Sequence, residues 1–216
     1  MLKAAVIPVT PFQQNCSLIW DDQTMVGALV DPGGDVDSIL SAVSQTGVDV
    51  QSILITHAHV DHAGAAQDIK EQLQIPIIGP HKGDQFWIDL IEDSGQKYGM
   101  TYARAFKPDQ WLNDGDQVSV GGEVLDVVHC PGHTPGHVVF HHGAQQVAFV
   151  GDVIFKGSVG RTDFPRGNSK DLINAIIHKL WPLGDDVTFV PGHGPASTFG
   201  EERKNNPYVA DKVIAP

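Results

Sequence analysis

The segment His57-Ala58-His59-Val60-Asp61-His62 packs three imidazoles and a carboxylate into six residues, directly after an apolar run. In extended backbone His57 and His59 point to the same side, because side chains alternate with period two. As the chain turns into a helix, Asp61 and His62 come round toward nearby space, so one loop can supply two pairs of ligands to two adjacent ions. Taken alone, the segment also reads as a run of surface histidines or a helix start capped by Asp61. Three further segments weigh against that. His129-Cys130-Pro131-Gly132-His133-Thr134-Pro135-Gly136-His137 follows one apolar run, Gly151-Asp152 ends another, and Pro191-Gly192-His193-Gly194 ends a fourth. Ligands gather in this way when strand ends share one sheet edge. His57, His59, Asp61, His62, His133, Asp152 and His193 are therefore the candidate ligands for one or two transition-metal ions.

Imidazole and carboxylate ligands suit zinc, iron or manganese, and the lack of thiolates argues against a closed structural site. Zinc is the first expectation for two divalent ions, with iron or manganese as alternatives. Two ions roughly 3.5–4 Å apart lower the pKa of a shared water from about 16 toward 7. The hydroxide then attacks a carbonyl, and Asp61 holds or orients its proton, with no Ser or Cys nucleophile required. His129 and His137, on either side of His133, are candidates for orienting the loop or bonding a ligand's outer nitrogen. His81, His141, His142 and His178 lack motif support and read as ordinary surface or helix residues. Cys130 reads first as a small buried hydrophobe.

The elements that must carry these groups alternate in type. Ala4–Val9, Cys16–Trp20 and Met25–Val30 read as short strands, the third stopped by Asp31-Pro32-Gly33-Gly34. Asp35 is expected to cap a helix running to about Ser44, with Val36, Ile39, Leu40 and Val43 on one face. Val50–Ile55 has the continuous apolar character of a strand buried on both faces. Helices are expected over His62–Leu73, 82–98 and Ser169–Leu180, and strands over Gln117–Val120 and Val124–His129. Gly136–His141 and Gln145–Val150 read as a hairpin around Gly143, Val187–Val190 as the last strand, and the tail after Thr198 as a short helix. The apolar tail Val209–Ile214 reads as a docking segment for the domain or a partner. No composition break or repeat divides the chain, so residues 1–216 read as one α/β domain with sheets packed face to face and helices outside.

The bulk composition narrows the partners. Fourteen Lys and Arg against 26 Asp and Glu leave a formal charge of −12 on 216 residues. Such a surface repels nucleic acid and anionic membrane, so a small-molecule partner is expected. No stretch is long and apolar enough to span a bilayer, and the start Met1–Val6 shows no secretory signal. With only Cys16 and Cys130, a reducing cytoplasm is the expected compartment. The sequence leaves the oligomeric state open.

With these residues in hand, the chain resembles the metallo-β-lactamase superfamily, whose HxHxDH signature appears as His57-x-His59-x-Asp61-His62, with His133, Asp152 and His193 following in the family's order. The resemblance implies a four-layer αββα sandwich with metals at one edge of the two sheets. It assigns His57, His59 and His133 to one ion, Asp61, His62 and His193 to a second, and Asp152 to both. The stretch Gly151–Phe155 through Gly160-Arg161-Thr162-Asp163-Phe164 is similar to the glyoxalase II (hydroxyacylglutathione hydrolase) branch, which hydrolyses the thioester S-D-lactoylglutathione. That likeness implies that Arg161, nine residues after Asp152, contacts the glutathione moiety; a salt bridge to Asp163 is the alternative. Asp163 and Pro195 stand where that branch has glutathione-binding tyrosines, and its C-terminal helical domain has no counterpart here. A short single-domain form with a more open site is the expectation. Gly160–Phe164, Ser197-Thr198 and Glu201-Glu202-Arg203 also resemble the persulfide dioxygenase branch, which implies as the rival a single iron on His57, His133 and Asp152. A lactonase is the third reading.

Overall fold

The structure, a computed structural model, describes residues 1–214. Along the chain run β1 (Leu2–Val9), β2 (Gln14–Asp21), β3 (Val26–Val30), α1 (Val36–Thr46), β4 (Asp49–Leu54), α2 (Val60–Ala63), α3 (Ala66–Leu73), β5 (Ile77–Ile78), α4 (Gln85–Asp89) and α5 (Ile91–Tyr98). The second half contributes β6 (Gln117–Val120), β7 (Glu123–His129), β8 (Val138–His142), β9 (Val147–Gly151), β10 (Ile154–Phe155), β11 (Ser158–Val159), α6 (Ser169–Ala175), β12 (Thr188–Pro191), β13 (Ser197–Thr198), α7 (Phe199–Asn205) and α8 (Asp211–Ile214).

One sheet has the order β1-β2-β3-β4-β5, the other β13-β12-β9-β8-β7-β6, and β10-β11 is a separate hairpin. The period-two alternation of a strand decides which layer each side chain joins. Ile19, Ala28, Val30 and Leu54 of the first sheet meet Val127, Val138, Phe140 and Phe149 of the second in a shared central core. Their neighbours Leu18, Leu29 and Ile53 face outward to Ile39, Ala66 and Ile69 of the helices. Val139, Ala148 and Val150 face outward to Leu172, Ile176 and Phe199. The result is helix, sheet, sheet, helix, as the composition of the elements suggests.

Several expected elements differ in detail. The helix expected over His62–Leu73 is two pieces, because the chain breaks at Gly64-Ala65. A Cβ at Gly64 would meet the carbonyl oxygens of Val60 and Gly33, so the bend depends on a side-chain-free position. The 82–98 helix is a 3₁₀ turn (Lys82–Asp84), α4 and α5, interrupted at Leu90. The Ser169–Leu180 helix stays α only to Ala175 and closes with a π turn over Ile176–Leu180. Asp35 does not cap α1 with its side chain: it sits at φ 50° in the left-handed region, and its carboxylate instead accepts from the Thr10 N–H at 2.8 Å. β4 is buried on both faces only from Ser52 onward, with Asp49 and Gln51 exposed. β13 follows the strand expected to be last. Val209 and Ala210 are buried in the tail, Val209 against the α6–α7 layer, while Val213 is exposed. No helix among the described residues is long and apolar enough to cross a membrane.

Candidate metal centre

Four strands, β4, β7, β9 and β12, end at one edge of the sandwich, and the loops leaving them carry the seven candidate ligands. Backbone hydrogen bonds fasten these ends together: Val138 N–H donates to Thr56 O at 2.8 Å, Gly192 N–H to Gly151 O at 2.7 Å, and Asn15 N–H to Gly192 O at 2.7 Å. Gly192 has to be glycine, because a Cβ there would run into the Asp152 carboxylate and the His62 ring.

The structure brings the seven side chains into one cluster. His57, His59 and His133 present nitrogens that lie within 4.8 Å of one another, and so do the donor atoms of Asp61, His62 and His193. Asp152 sits between the two groups. Its Oδ1 lies 3.3 Å from His62 Nε2, and its Oδ2 lies 3.6 Å from His133 Nε2 and 3.7 Å from His193 Nε2. His59 Nδ1 faces His133 Nε2 at 3.0 Å. His193 Nε2 is 3.2 Å from Asp61 Oδ2.

Most of these imidazoles have one nitrogen fixed on the protein and the other aimed into the cluster. His57 Nδ1 donates to Thr56 Oγ1 at 3.0 Å, and that hydroxyl in turn donates a hydrogen bond to Asp31 Oδ2 at 2.5 Å. His62 Nδ1 donates to Asp31 Oδ2 at 2.9 Å, His133 Nδ1 to the Arg161 carbonyl at 2.7 Å, and His193 Nδ1 to the Phe12 carbonyl at 3.2 Å. Buried donor and acceptor atoms normally find partners, yet among the described residues His57 Nε2 has none, and His62 Nε2 and Asp152 Oδ1 have nothing beyond their own 3.3 Å approach. These inward-facing orphans fit cations held by His and Asp. Asp31 also groups with His57 and His62. Its oxygens, however, are engaged by Thr56 N–H, Thr56 Oγ1–H and His62 Nδ1–H, so it reads as a support for ligands.

The two groups differ electrostatically. Burial, reinforced by the neighbouring imidazoles, pushes His57 and His59 well below the usual histidine range, and burial also lowers His133. Burial disfavours the charged form of His62 too, but Asp152, Asp61 and Asp31 outweigh it and lift the imidazole well above that range. For His193, burial is likewise outweighed by Asp61 and Asp152, and its pKa rises. Burial opposes the charge on Asp61 and Asp152, yet His62 and its neighbours hold both carboxyls below the usual range.

His137 supports the cluster: its ring stacks on His57 at 4.5 Å, and its Nε2 accepts from the Asp152 N–H at 3.0 Å. His129 lies further out, donating from Nε2 to the Pro135 carbonyl at 2.9 Å and stacking on half-buried His81. Cys130 is buried in the apolar layer beneath. His178 is exposed, but the expected surface positions of His141 and His142 are wrong. Both are buried on β8, an interior strand, and His142 donates to Glu123 at 2.7 Å. The supports Asp31, Thr56 and Asp84 carried no recognisable signal in the sequence, apart from the Asp31-Pro32-Gly33-Gly34 turn.

A cavity of about 590 Å³ opens over the cluster, walled mainly by Phe12, Trp87, Tyr98, Phe155, Val159 and Phe164. Arg161 lines it, but its exposed guanidinium is engaged by Asp163 at 2.7 and 2.6 Å and lies over the Phe164 ring. Lys97 also lines the cavity and forms no ion pair among the described residues.

A sandwich with a His/Asp cluster at the ends of its strands defines a metallo-hydrolase fold, and the comparisons agree. The description of the metallo-beta-lactamase superfamily matches residues 9–193, so the chain belongs to that superfamily. It is 42% identical over 208 residues to the hydroxyacylglutathione hydrolase GloC of Haemophilus influenzae, covering 96% of this chain and 98% of that protein. Among solved structures it is similar to the BLEG-1 B3 metallo-beta-lactamase, with TM-score 0.87, 32% identity and coverage of 97% of this chain and 99% of that one. It is also similar to TTHA1623 in a di-iron-bound form, with TM-score 0.86, 32% identity and coverage of 95% and 100%.

Proposed function

We propose that the protein is a binuclear metal-dependent thioesterase of the hydroxyacylglutathione hydrolase type, with S-D-lactoylglutathione as its substrate. One observation carries this reading: two complete triads of donors, with Asp152 between them, at the floor of a cavity large enough for a small-molecule thioester. His57, His59 and His133 would hold one ion, Asp61, His62 and His193 the other, and Asp152 both. Zinc fits this donor set, as do iron and manganese. When bound, such ions supply Lewis acidity and make water ionise near neutral pH.

The chain's own residues do the rest. Asp61, kept ionised between His62 and His193, accepts a hydrogen bond from the attacking water and orients it toward the thioester carbon. The carbon–oxygen bond forms, the carbon–sulfur bond breaks, and acid and thiol leave. Trp87, Phe155 and Phe164 exclude bulk water around the reacting carbonyl. Arg161 meets a substrate carboxylate through its fork of N–H donors, exchanging its contact with Asp163 for the ligand. The full second triad favours hydrolysis over the single-iron dioxygenase reading, which would leave Asp61, His62 and His193 without a task. The likeness to GloC supports the choice of thioester.

Two free, buried cysteines, Cys16 and Cys130, suit a reducing cytoplasm. The central core draws on both sheets, which supports one cooperative domain over residues 1–216. The test is reconstitution with zinc, manganese and iron separately, followed by loss of thioester absorbance from S-D-lactoylglutathione. Turnover is the expected outcome. No turnover with any of the three metals would sink the assignment and bring forward iron-dependent oxygen consumption with a persulfide substrate.

A further inference from the structure

Asp84 is fully buried at the end of the 3₁₀ turn Lys82–Asp84 and, among the described residues, has no cationic side chain within salt-bridge distance. Its oxygens accept three hydrogen bonds. Oδ2 takes the Ala58 N–H and the Thr134 hydroxyl, both at 2.9 Å, and Oδ1 takes the Gly136 N–H at 2.6 Å. Ala58 lies between His57 and His59. Thr134 follows His133, and Gly136 precedes His137, which in turn accepts from the Asp152 N–H. One carboxylate therefore spans two loops that leave different sheets and that between them supply His57, His59 and His133. Gly136 lets it approach: a Cβ there would run into the Asp84 backbone N–H, its Oδ1 and the His81 carbonyl.

Three donors and no acceptor point at this side chain, the pattern that suits an ionised carboxylate. Burial pushes its carboxyl up to about 6, so keeping the charge is costly. A neutral acceptor would bridge two loops more cheaply; a charge there adds attraction for a nearby cation.

We propose that Asp84 is a positioning residue for the His57, His59 and His133 half of the centre, fixing the spacing of its two loops and adding negative charge behind its ligands. The inference rests on the metal-centre reading. Side chains that bond metal ligands directly change metal affinity about 10–100-fold, and Asp84 holds the residues next to His57, His59 and His133.

The experiment measures stepwise zinc affinity by chelator competition, together with the cobalt absorption spectrum and thermal unfolding of the metal-free protein. The Asp84→Asn variant keeps the size and removes the charge. It should weaken binding about 10–100-fold when made in a His193→Ala background, which isolates the first half. In an otherwise unaltered chain it should leave the second ion's affinity within about twofold. Thr134→Val, which removes one of the three bonds, should fold normally and show a smaller loss at the same half. It keeps the test decisive if Asp84→Asn fails to fold. Unchanged zinc affinity in either folded variant, or equal loss at both halves with a lowered unfolding temperature, would overturn the proposal. If the unaltered protein binds no zinc, cobalt or iron, the metal-centre reading falls as well. Two ions bound normally by both the unaltered chain and Asp84→Asn would overturn this inference alone.

Discussion

The two halves of the cluster share Asp152 yet are built on opposite electrostatic plans. In the first, His57, His59 and His133 are imidazoles with depressed pKa values, and the outer nitrogens of His57 and His133 rest on neutral partners, the Thr56 hydroxyl and the Arg161 carbonyl. In the second, His62 and His193 lie among Asp61, Asp152 and Asp31, and their pKa values are raised. The first half is thus ready to receive a cation with no proton to displace. Without metal, the second half holds protons where a cation would sit, so loading it must expel them.

The sharpest way to break this picture is at the residue the halves share. Asp152→Ala should empty both halves and lower kcat/KM on the order of a thousandfold, since metal assistance is worth several kcal/mol. Loss of only one ion would show that Asp152 does not serve both. His193→Ala should reduce bound metal from two equivalents to one, measured by elemental analysis, and leave the first half occupied.

Calorimetry in buffers of different ionisation enthalpy sharpens the contrast. At pH 7, binding to the second half should release protons and binding to the first should release almost none. The sign follows from the shifts. A raised imidazole pKa stabilises the metal-free fold below about 6.5, and that contribution disappears as pH rises through the raised value. The depressed Asp61 carboxyl contributes above its ordinary range near 3.8, and this is lost as pH falls. Affinity of the second half should therefore climb with pH across neutrality while that of the first stays nearly flat. The smallest effect expected is from Arg161→Ala. An exposed, already paired guanidinium should raise KM by about two- to fivefold with kcat unchanged.

The clustering of the candidate ligands was legible in the sequence because their segments lie at or just beyond the ends of apolar strands, so local pattern and tertiary position coincide. His57, Asp152 and His193 are examples. The layered sandwich was legible for the same reason: runs such as Val50–Ile55 and Val147–Val150 announce strands of the two sheets. The supports were not. Asp31 reads as part of a turn and Asp84 as part of a helix, and each acquires its task only when the fold brings up Thr56 and His62, or Ala58 and Thr134. The breaks at Gly64 and Leu90 escaped because apolar spacing continues across them, while packing against the Gly33 carbonyl sets the bend at Gly64. His141 and His142 were misplaced because adjacent residues on a strand face opposite sides, and both sides of β8 are covered.

The most direct test of a two-ion thioesterase is to titrate metal-free protein with zinc while following S-D-lactoylglutathione hydrolysis. Little turnover is expected up to one equivalent, with a steep rise as the second half fills. Full activity at one equivalent, or none at two, would contradict it.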